Sequence, residues 1–494
     1  MSTFDELALE EITIADLLHR YAEQQVTVRE VVQAYLDRIA AVDAGGAHLN
    51  SIITLNEEAL TRADELDEQL RETGELTGPL HGVVIVAKDN IDTQDMDTTC
   101  GSEALKGFRP EVDAAVISRL KDAGAIVLAK TTLPDFATSW FSFSSVSGET
   151  KNPYDLNHDP GGSSSGSAAA VAANLAVAGL GTDCGGSVRL PSSFCNLVGV
   201  RSTPGVVPRT GTGFLVAFQD TVGPLARTVE DAVTVFDAIS GFDSGDPYSV
   251  AATMGRPPAS YRDGLGRGMD GARIGLVTNA LGDDQDPRCA AVNTLARQAV
   301  ADLRAAGAEV VDVTIPNLAD YLVDTSQYVA CSRHDIDVYL AEREPLKDLR
   351  VADIAAQGKY HPELDLLEAV VAGPEDPHED PQYAERFILR EQFTRAILTV
   401  MAEHGLDALT YPTTQIPAPS NAERQEWTVL TFPTNTLIAS QALLPSITVP
   451  AGFTNDGIPV GIELVTRPYD EATGFRLAAA YEQKTHHRKA PKFS

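Results

Sequence analysis

The stretch from Gly181 to Pro191, GTDCGGSVRLP, sets two glycines directly before Ser187 and an arginine two residues after it. Glycines in that position let backbone N–H groups approach a bound group with no side chain in the way. A serine on such a turn is a candidate nucleophile, and a nucleophilic serine needs a base to take its proton. No histidine stands in this stretch, so the base has to come from elsewhere in the chain. Lys88, closing the apolar run GVVIVAKDN, is one source. An ammonium in low-dielectric surroundings has its pKa pushed down and can serve as a neutral base near pH 7. Read alone, the same lysine also fits a side chain that snorkels to the surface or pairs with Asp89. The serine-rich loop GGSSSGS, opening at Gly161, is the third piece, and by itself reads equally as a turn or a helix start.

Three short patterns compete with this constellation. Gly162-Ser163-Ser164-Ser165-Gly166 matches the G-x-S-x-G elbow, which would make Ser164 the nucleophile. An elbow needs a strand feeding into it, and the preceding KNPYDLNHDP is loop material. Ser118-Arg119-Leu120-Lys121 matches S-x-x-K, but it falls in an ordinary amphipathic helix without its partner motifs. The GGSSSGS loop is phosphate-loop-like yet lacks a lysine before its last serine.

Taken together and in order, the segments GVVIVAKDNIDTQDMDTTCGS, AGAIVLAKTTLPDFA, KNPYDLNHDPGGSSSGSAAAVAA, GLGTDCGGSVRLPSSFCNLVGVRSTPG and LPSITVPAGFTNDGIPVGIELV resemble the amidase signature family. These are serine hydrolases that use Ser–cis-Ser–Lys in place of Ser–His–Asp. The resemblance runs from about Ser51 to Pro208 and resumes from about Pro445 to Glu482. It implies that Ser187 is the nucleophile, Ser163 the relay serine on a cis peptide bond and Lys88 the base. It further implies an acyl-enzyme on Ser187, with the backbone N–H groups of Cys184, Gly185 and Gly186 receiving the oxyanion. Asp183 and Arg189, of opposite charge on either side of the turn, read as a pair bracing it. Ser165 stands where many members carry glycine, and Cys184 where an aliphatic residue or threonine is common. Cys184 reads as a packing residue whose thiol neighbours the nucleophile, and Cys195 as a core residue.

The resemblance fixes acyl–nitrogen chemistry and leaves the amide open. Loops around Thr138 to Ser144 and the region 319–436 are where specificity is expected, with Trp140, Phe141, Tyr328, Trp427 and Phe432 as candidate walls of an apolar acyl pocket. The expected reaction is hydrolysis of a linear carboxylic amide to carboxylate and amine. The alternatives are the glutamine-hydrolysing subunit of a tRNA-dependent amidotransferase, a carbamate- or ester-cleaving relative, or a non-catalytic binding homologue. No metal-ligand cluster or nucleotide motif is present in the sequence, so no cofactor and no metal are expected. A small-molecule amide is the expected partner, with a homodimer as an open possibility.

These residues need a scaffold. Apolar runs such as GVVIVAKDN, AGAIVLAK, RIGLVTNA and LPSITVPAGF alternate with helical patterns, which predicts buried strands between helices. In TVREVVQAYLDRIAAVD, Thr27 and Glu30 form a capping box ahead of apolar residues at helical spacing. The fold expected is one large α/β/α unit over 1–494, with a mixed, mostly parallel twisted sheet flanked by helices. Within it lie two N-terminal helices in 1–75, the catalytic core in 76–240 and a variable, mostly helical region in 319–436, broken near Pro374 to Pro381. Residues from about Gly241 to Gly271 read as loop. The 494 residues carry a net charge of −32, and ten of the 38 basic residues are lysines. A surface this acidic repels phosphate backbones and argues against nucleic acid as a direct partner. It fits a salt-rich cytoplasm or ordinary acidity alike. The five cysteines show no paired spacing, no apolar run reaches membrane length, and the first residues lack a signal-peptide pattern. Together these predict a cytoplasmic protein with no membrane partner.

Overall fold

In the computed structural model, which describes residues 2–254 and 259–493, eleven strands form one sheet. They are β1 (Ile52–Leu55), β2 (Val84–Lys88), β3 (Ile126–Thr131), β4 (Ala178–Asp183), β5 (Val198–Arg201), β6 (Thr221–Ala226), β7 (Arg273–Val277), β8 (Glu309–Val313), β9 (Ala408–Pro412), β10 (Ser446–Phe453) and β11 (Pro459–Val465). Their order across the sheet is β1-β3-β2-β4-β6-β5-β10-β11-β9-β7-β8. The sheet is mixed, as expected, but it is not mostly parallel. Only β2–β3, β2–β4, β7–β8 and β7–β9 run parallel. The other six pairings, β1–β3, β4–β6, β5–β6, β5–β10, β10–β11 and β9–β11, are antiparallel. One of these is a short return, in which the turn after β10 folds β11 straight back on it, Ser446 facing Val465; the other five join strands farther apart in the chain.

The parallel trio β2, β3 and β4 matters most for function. Each is a run of small and β-branched residues buried on both faces, the composition that a covered parallel sheet requires. Their parallel sense brings the C-terminal residues Lys88, Thr131 and Asp183 to one edge. The helix Ser165–Ala172 lies over these strands with every residue buried. Its alanines permit the close approach, and Ser167 anchors it through Thr131 Oγ1 at 2.6 Å and the Leu180 carbonyl at 2.9 Å.

Elsewhere the helical patterns hold, and the capping box at Thr27 and Glu30 opens the helix Val28–Arg38. The N-terminal 75 residues hold more than two helices: they also form Ala59–Thr73 and the edge strand β1. Region 319–436 is mostly helical, with a short 3-10 turn at Pro377–Glu379 where the break was expected. The predicted loop from Gly241 to Gly271 contains 3-10 turns at Pro247–Thr253 and Tyr261–Arg267, and residues 255–258 of it lie outside the described residues. Among the described residues no helix is long and apolar enough to cross a membrane.

Candidate active site

Lys88 ends β2 with no solvent exposure. Its Nζ lies 2.7 Å from Ser163 Oγ and 2.8 Å from Thr182 Oγ1. Asn90 reaches the same threonine oxygen from 3.1 Å and donates to the Gly213 carbonyl at 2.8 Å. Asp89, the alternative partner for Lys88, is taken instead by Lys130 at 3.2 Å, both side chains fully buried. Burial pushes the Lys88 amine down to about 7, against the pull of the Asp220 and Asp183 charges. Lys88 is therefore an amine that loses its proton near neutrality while touching a serine hydroxyl. That is the property required of a base.

Ser163 sits on the loop before the helix Ser165–Ala172, and the Gly162–Ser163 peptide bond is cis. The adjacent Ser164 N–H donates to the Ser187 carbonyl at 3.1 Å, which ties this loop to the glycine turn. Ser164 itself is buried with its Oγ donating to the Thr182 carbonyl, and no strand precedes it, so the elbow arrangement is absent here. The S-x-x-K pattern lies in the helix Ala115–Asp122, where Lys121 pairs with Asp113 and Asp95.

The turn Cys184–Ser187 joins β4 to the helix Arg189–Phe194. Among the described residues no protein group accepts the backbone N–H of Cys184, Gly185, Gly186 or Ser187. Unpaired donors on consecutive residues are the kind of group that a developing negative oxygen requires. Gly186 has φ +144°, and a Cβ there would strike Thr436. At Gly185 a Cβ would lie 1.9 Å from Tyr328 Oη and 2.8 Å from Trp140 Cη2. Gly186 therefore demands glycine for reasons of both conformation and space, and Gly185 for space alone.

A buried ionic lattice holds the turn. Arg189 Nε meets Asp183 Oδ2 at 3.0 Å, and Arg189 Nη1 meets Glu463 Oε2 at 2.7 Å. Arg201 Nη1 meets Asp183 Oδ1 at 2.9 Å. Burial alone would raise the Asp183 carboxyl, but Arg189 and Arg201 overcome it and hold it below the usual carboxylate range. Asp183 also accepts the Val188 N–H at 3.2 Å, so the carboxylate pins both ends of the turn. The predicted Asp183–Arg189 pair is present, and Arg201 and Glu463 extend it. Neither extension was predicted: both are single charges in apolar strands, VGVR and GIELV, and that burial is the signal the sequence offered.

Cys184 is buried, and burial together with the nearby Asp220 charge pushes its thiol well up. Four of the five candidate pocket aromatics are buried in one apolar cluster with Cys184, and Trp427 packs half-buried against it. Trp140 and Tyr328 reach the glycine turn itself. Phe141 and Phe432 stand edge-to-face behind them, centroids 5.4 Å apart. Trp427 packs on Phe432 from the far side, under Arg288, and lines a separate surface cavity of about 360 Å³ with His158 and Pro417. Thr182, Asn90 and Asp220 were not predicted, and they join the site through spacing in space that one strand's sequence does not reveal. Among the described residues no group of three or more His, Cys, Asp or Glu side chains is placed to hold a metal.

Against known families, residues 30–474 match the model described as Amidase. The chain belongs to the amidase family, the amidase signature enzymes. This amidase is 34% identical over 507 residues to a glutamyl-tRNA(Gln) amidotransferase subunit of Synechococcus sp. (strain JA-3-3Ab), covering 97% of this chain and 94% of that one. Its fold superimposes on native peptide amidase from Stenotrophomonas maltophilia with a TM-score of 0.86, at 37% identity over 98% of each chain. The corresponding glutamyl-tRNA(Gln) amidotransferase subunit of Thermotoga maritima gives 0.79 at 26% identity, covering 99% of both. The amidase is thus an enzyme of amide C–N bond cleavage, on the mixed, helix-flanked sheet of that family.

Proposed function

We propose that this amidase hydrolyses a carboxylic amide of a small molecule or peptide through a Ser187 acyl-enzyme. The carrying observation is Lys88 Nζ, buried and 2.7 Å from Ser163 Oγ, beside a serine turn with unpaired N–H groups. Neutral Lys88 takes the Ser163 proton as Ser163 takes that of Ser187. The freed Ser187 Oγ bonds to the amide carbon, and the carbonyl oxygen becomes an oxyanion received by the turn. The proton returns through Ser163 to the nitrogen, the C–N bond breaks and the amine leaves. Water then repeats the cycle on the ester, releasing the carboxylate and restoring Ser187. Asp183 and Arg189 hold the turn in place, and Trp140 and Tyr328 cover its substrate side.

A stand-alone hydrolase is favoured by the likeness to the peptide amidase, which exceeds that to the solved amidotransferase subunit in both TM-score and identity. The second reading, a glutamine-hydrolysing subunit, draws support from the curated relatives named as glutamyl-tRNA(Gln) amidotransferase subunits. Those relatives also weigh against the expectation of no nucleic-acid partner. The test is a panel of an aliphatic amide, an anilide, a carbamate, a peptide amide and glutamine. Wild type should turn over at least one, and Lys88→Ala, Ser163→Ala and Ser187→Ala should each lose about 100-fold or more. Ammonia from glutamine alone would move the assignment to the amidotransferase reading. Loss of activity only in Ser164→Ala would refute the site.

A further inference from the structure

Asp220 is a buried carboxylate that the reaction outlined above leaves without a task. It directly precedes β6, whose Thr221 pairs with Asp183 at the end of β4, so it stands against the glycine turn. Its neighbour Gln219 donates to the Cys184 carbonyl at 2.8 Å. One carboxylate oxygen, Oδ2, is fixed by the Leu215 N–H at 3.1 Å. The other, Oδ1, is sealed from solvent and receives no hydrogen bond among the described residues. A buried carboxylate oxygen without a donor is costly and calls for an explanation.

The neighbouring charges supply one. Lys88 is faced by Asp220, Asp183, Cys184 and Cys100, and Asp220 acts on it most strongly of the four. Asp183 is already matched by Arg189 and Arg201. Burial pushes the Cys100 thiol up to about 12 and Cys184 higher than usual too, so both are neutral. Asp220 in turn is faced by Lys88, Asp183 and Arg201, and Arg201 is committed to Asp183. Asp220 is thus the one anion of the four without a committed cation, and it acts on Lys88 from beyond ion-pair contact.

We propose that Asp220 is a positioning residue for Lys88, stabilising the ammonium form that appears each time the amine takes a proton from Ser163. This rests on the Ser187–Ser163–Lys88 reading and deepens it. Burial raises the Asp220 carboxyl and lowers the Lys88 amine, each opposed by the other's charge, and the working form in this proposal pairs an ionised Asp220 with a neutral Lys88. The two protons belong to the pair rather than to either residue.

An alkyl fluorophosphonate provides a probe independent of the natural amide. Ser187 Oγ bonds to phosphorus, fluoride leaves, and the serine proton passes to Lys88. The rate of mass gain is followed from pH 5 to 9 in wild type and in Lys88→Ala, Asp220→Asn and Asp220→Glu. In wild type the acid limb should steepen from slope one toward two, as both protons must be absent. Asp220→Asn should move the limb down by about one pH unit and flatten it to slope one, with a plateau about 10-fold lower or more. Asp220→Glu should keep the limb near that of wild type. A lower plateau with an unmoved limb would overturn the inference, as would slope one throughout in wild type, a result that needs no folded variant. If Lys88→Ala reacts as fast as wild type, the underlying reading fails instead.

Discussion

Gly185→Ala asks whether the space above the glycine turn is as tight as described. The added Cβ falls 1.9 Å from Tyr328 Oη, about 1.5 Å inside ordinary contact, and 2.8 Å from Trp140 Cη2. The indole is held in place by its Nε1–H, which donates to the Val429 carbonyl at 2.8 Å. Relief therefore has to come from Tyr328 or from the turn itself. Overpacking of this kind costs about 1–3 kcal/mol. A displaced turn misaligns its N–H groups, and losing one such donor costs about 100-fold in rate. Tyr328→Phe removes the clashing oxygen. That hydroxyl makes no hydrogen bond to a described residue, so its loss alone should cost less than about 1 kcal/mol. The double variant Gly185→Ala/Tyr328→Phe should then recover stability, with a coupling of about 1 kcal/mol or more. Urea unfolding of the four proteins measures the cycle, and fluorophosphonate labelling follows the rate. Additivity within about 0.5 kcal/mol would refute the packing argument.

Three further outcomes follow from burial. Arg201→Met strands part of the Asp183 charge and should cost about 3–5 kcal/mol in unfolding free energy, whereas Arg29→Met, in a surface pair with Asp64, should change it by less than about 1 kcal/mol. All five cysteines are buried, so iodoacetamide at pH 8 should label none in the folded protein and all after unfolding, counted by mass; rapid labelling of Cys184 would contradict its raised thiol. Burial also pushes the Asp135 carboxyl up to about 7, even though Ser145 donates to it from both N and Oγ. A folded-state pKa above the unfolded one means the folded protein holds the proton more tightly, so this stability is present at low pH and lost as pH rises from about 4 through about 7. Asp135→Asn should therefore gain on wild type by about 2–4 kcal/mol between pH 4 and pH 8, read as the difference in unfolding free energies at the two ends.

The parts of the site legible in the sequence were those written in contiguous residues. The glycines before Ser187 announce a turn, and the Val/Ile run before Lys88 announces a buried strand, although that strand by itself leaves the lysine free to snorkel or to pair with Asp89. The sheet's strand directions were not legible from apolar runs alone, since a covered strand looks the same whichever way its neighbour runs. Asp456-Gly457 between β10 and β11 was a usable signal for one antiparallel return. Thr182 lies inside the quoted motif, yet only β4's alignment with β2 reveals that its hydroxyl touches Lys88. Arg201, Asp220 and Glu463 come from three separate strands or their ends, and nothing local says that they converge.

The position of β10 and β11 bears on how the molecule is made. These strands are synthesised last, yet they lie between β5 and β9 and join the portion of the sheet built from residues 52–226 to the portion built from 273–412. β11 also carries Glu463, which closes the ionic lattice on Arg189 from 274 residues away. On the ribosome, every residue assigned to the chemistry has emerged long before its support exists. The nascent chain thus carries two unjoined sheet edges, and an Arg189 without its Glu463 partner, until β10 and β11 have been added. A product truncated before Ser446 would expose both edges to other chains, making it prone to aggregate rather than to act as a weakened enzyme.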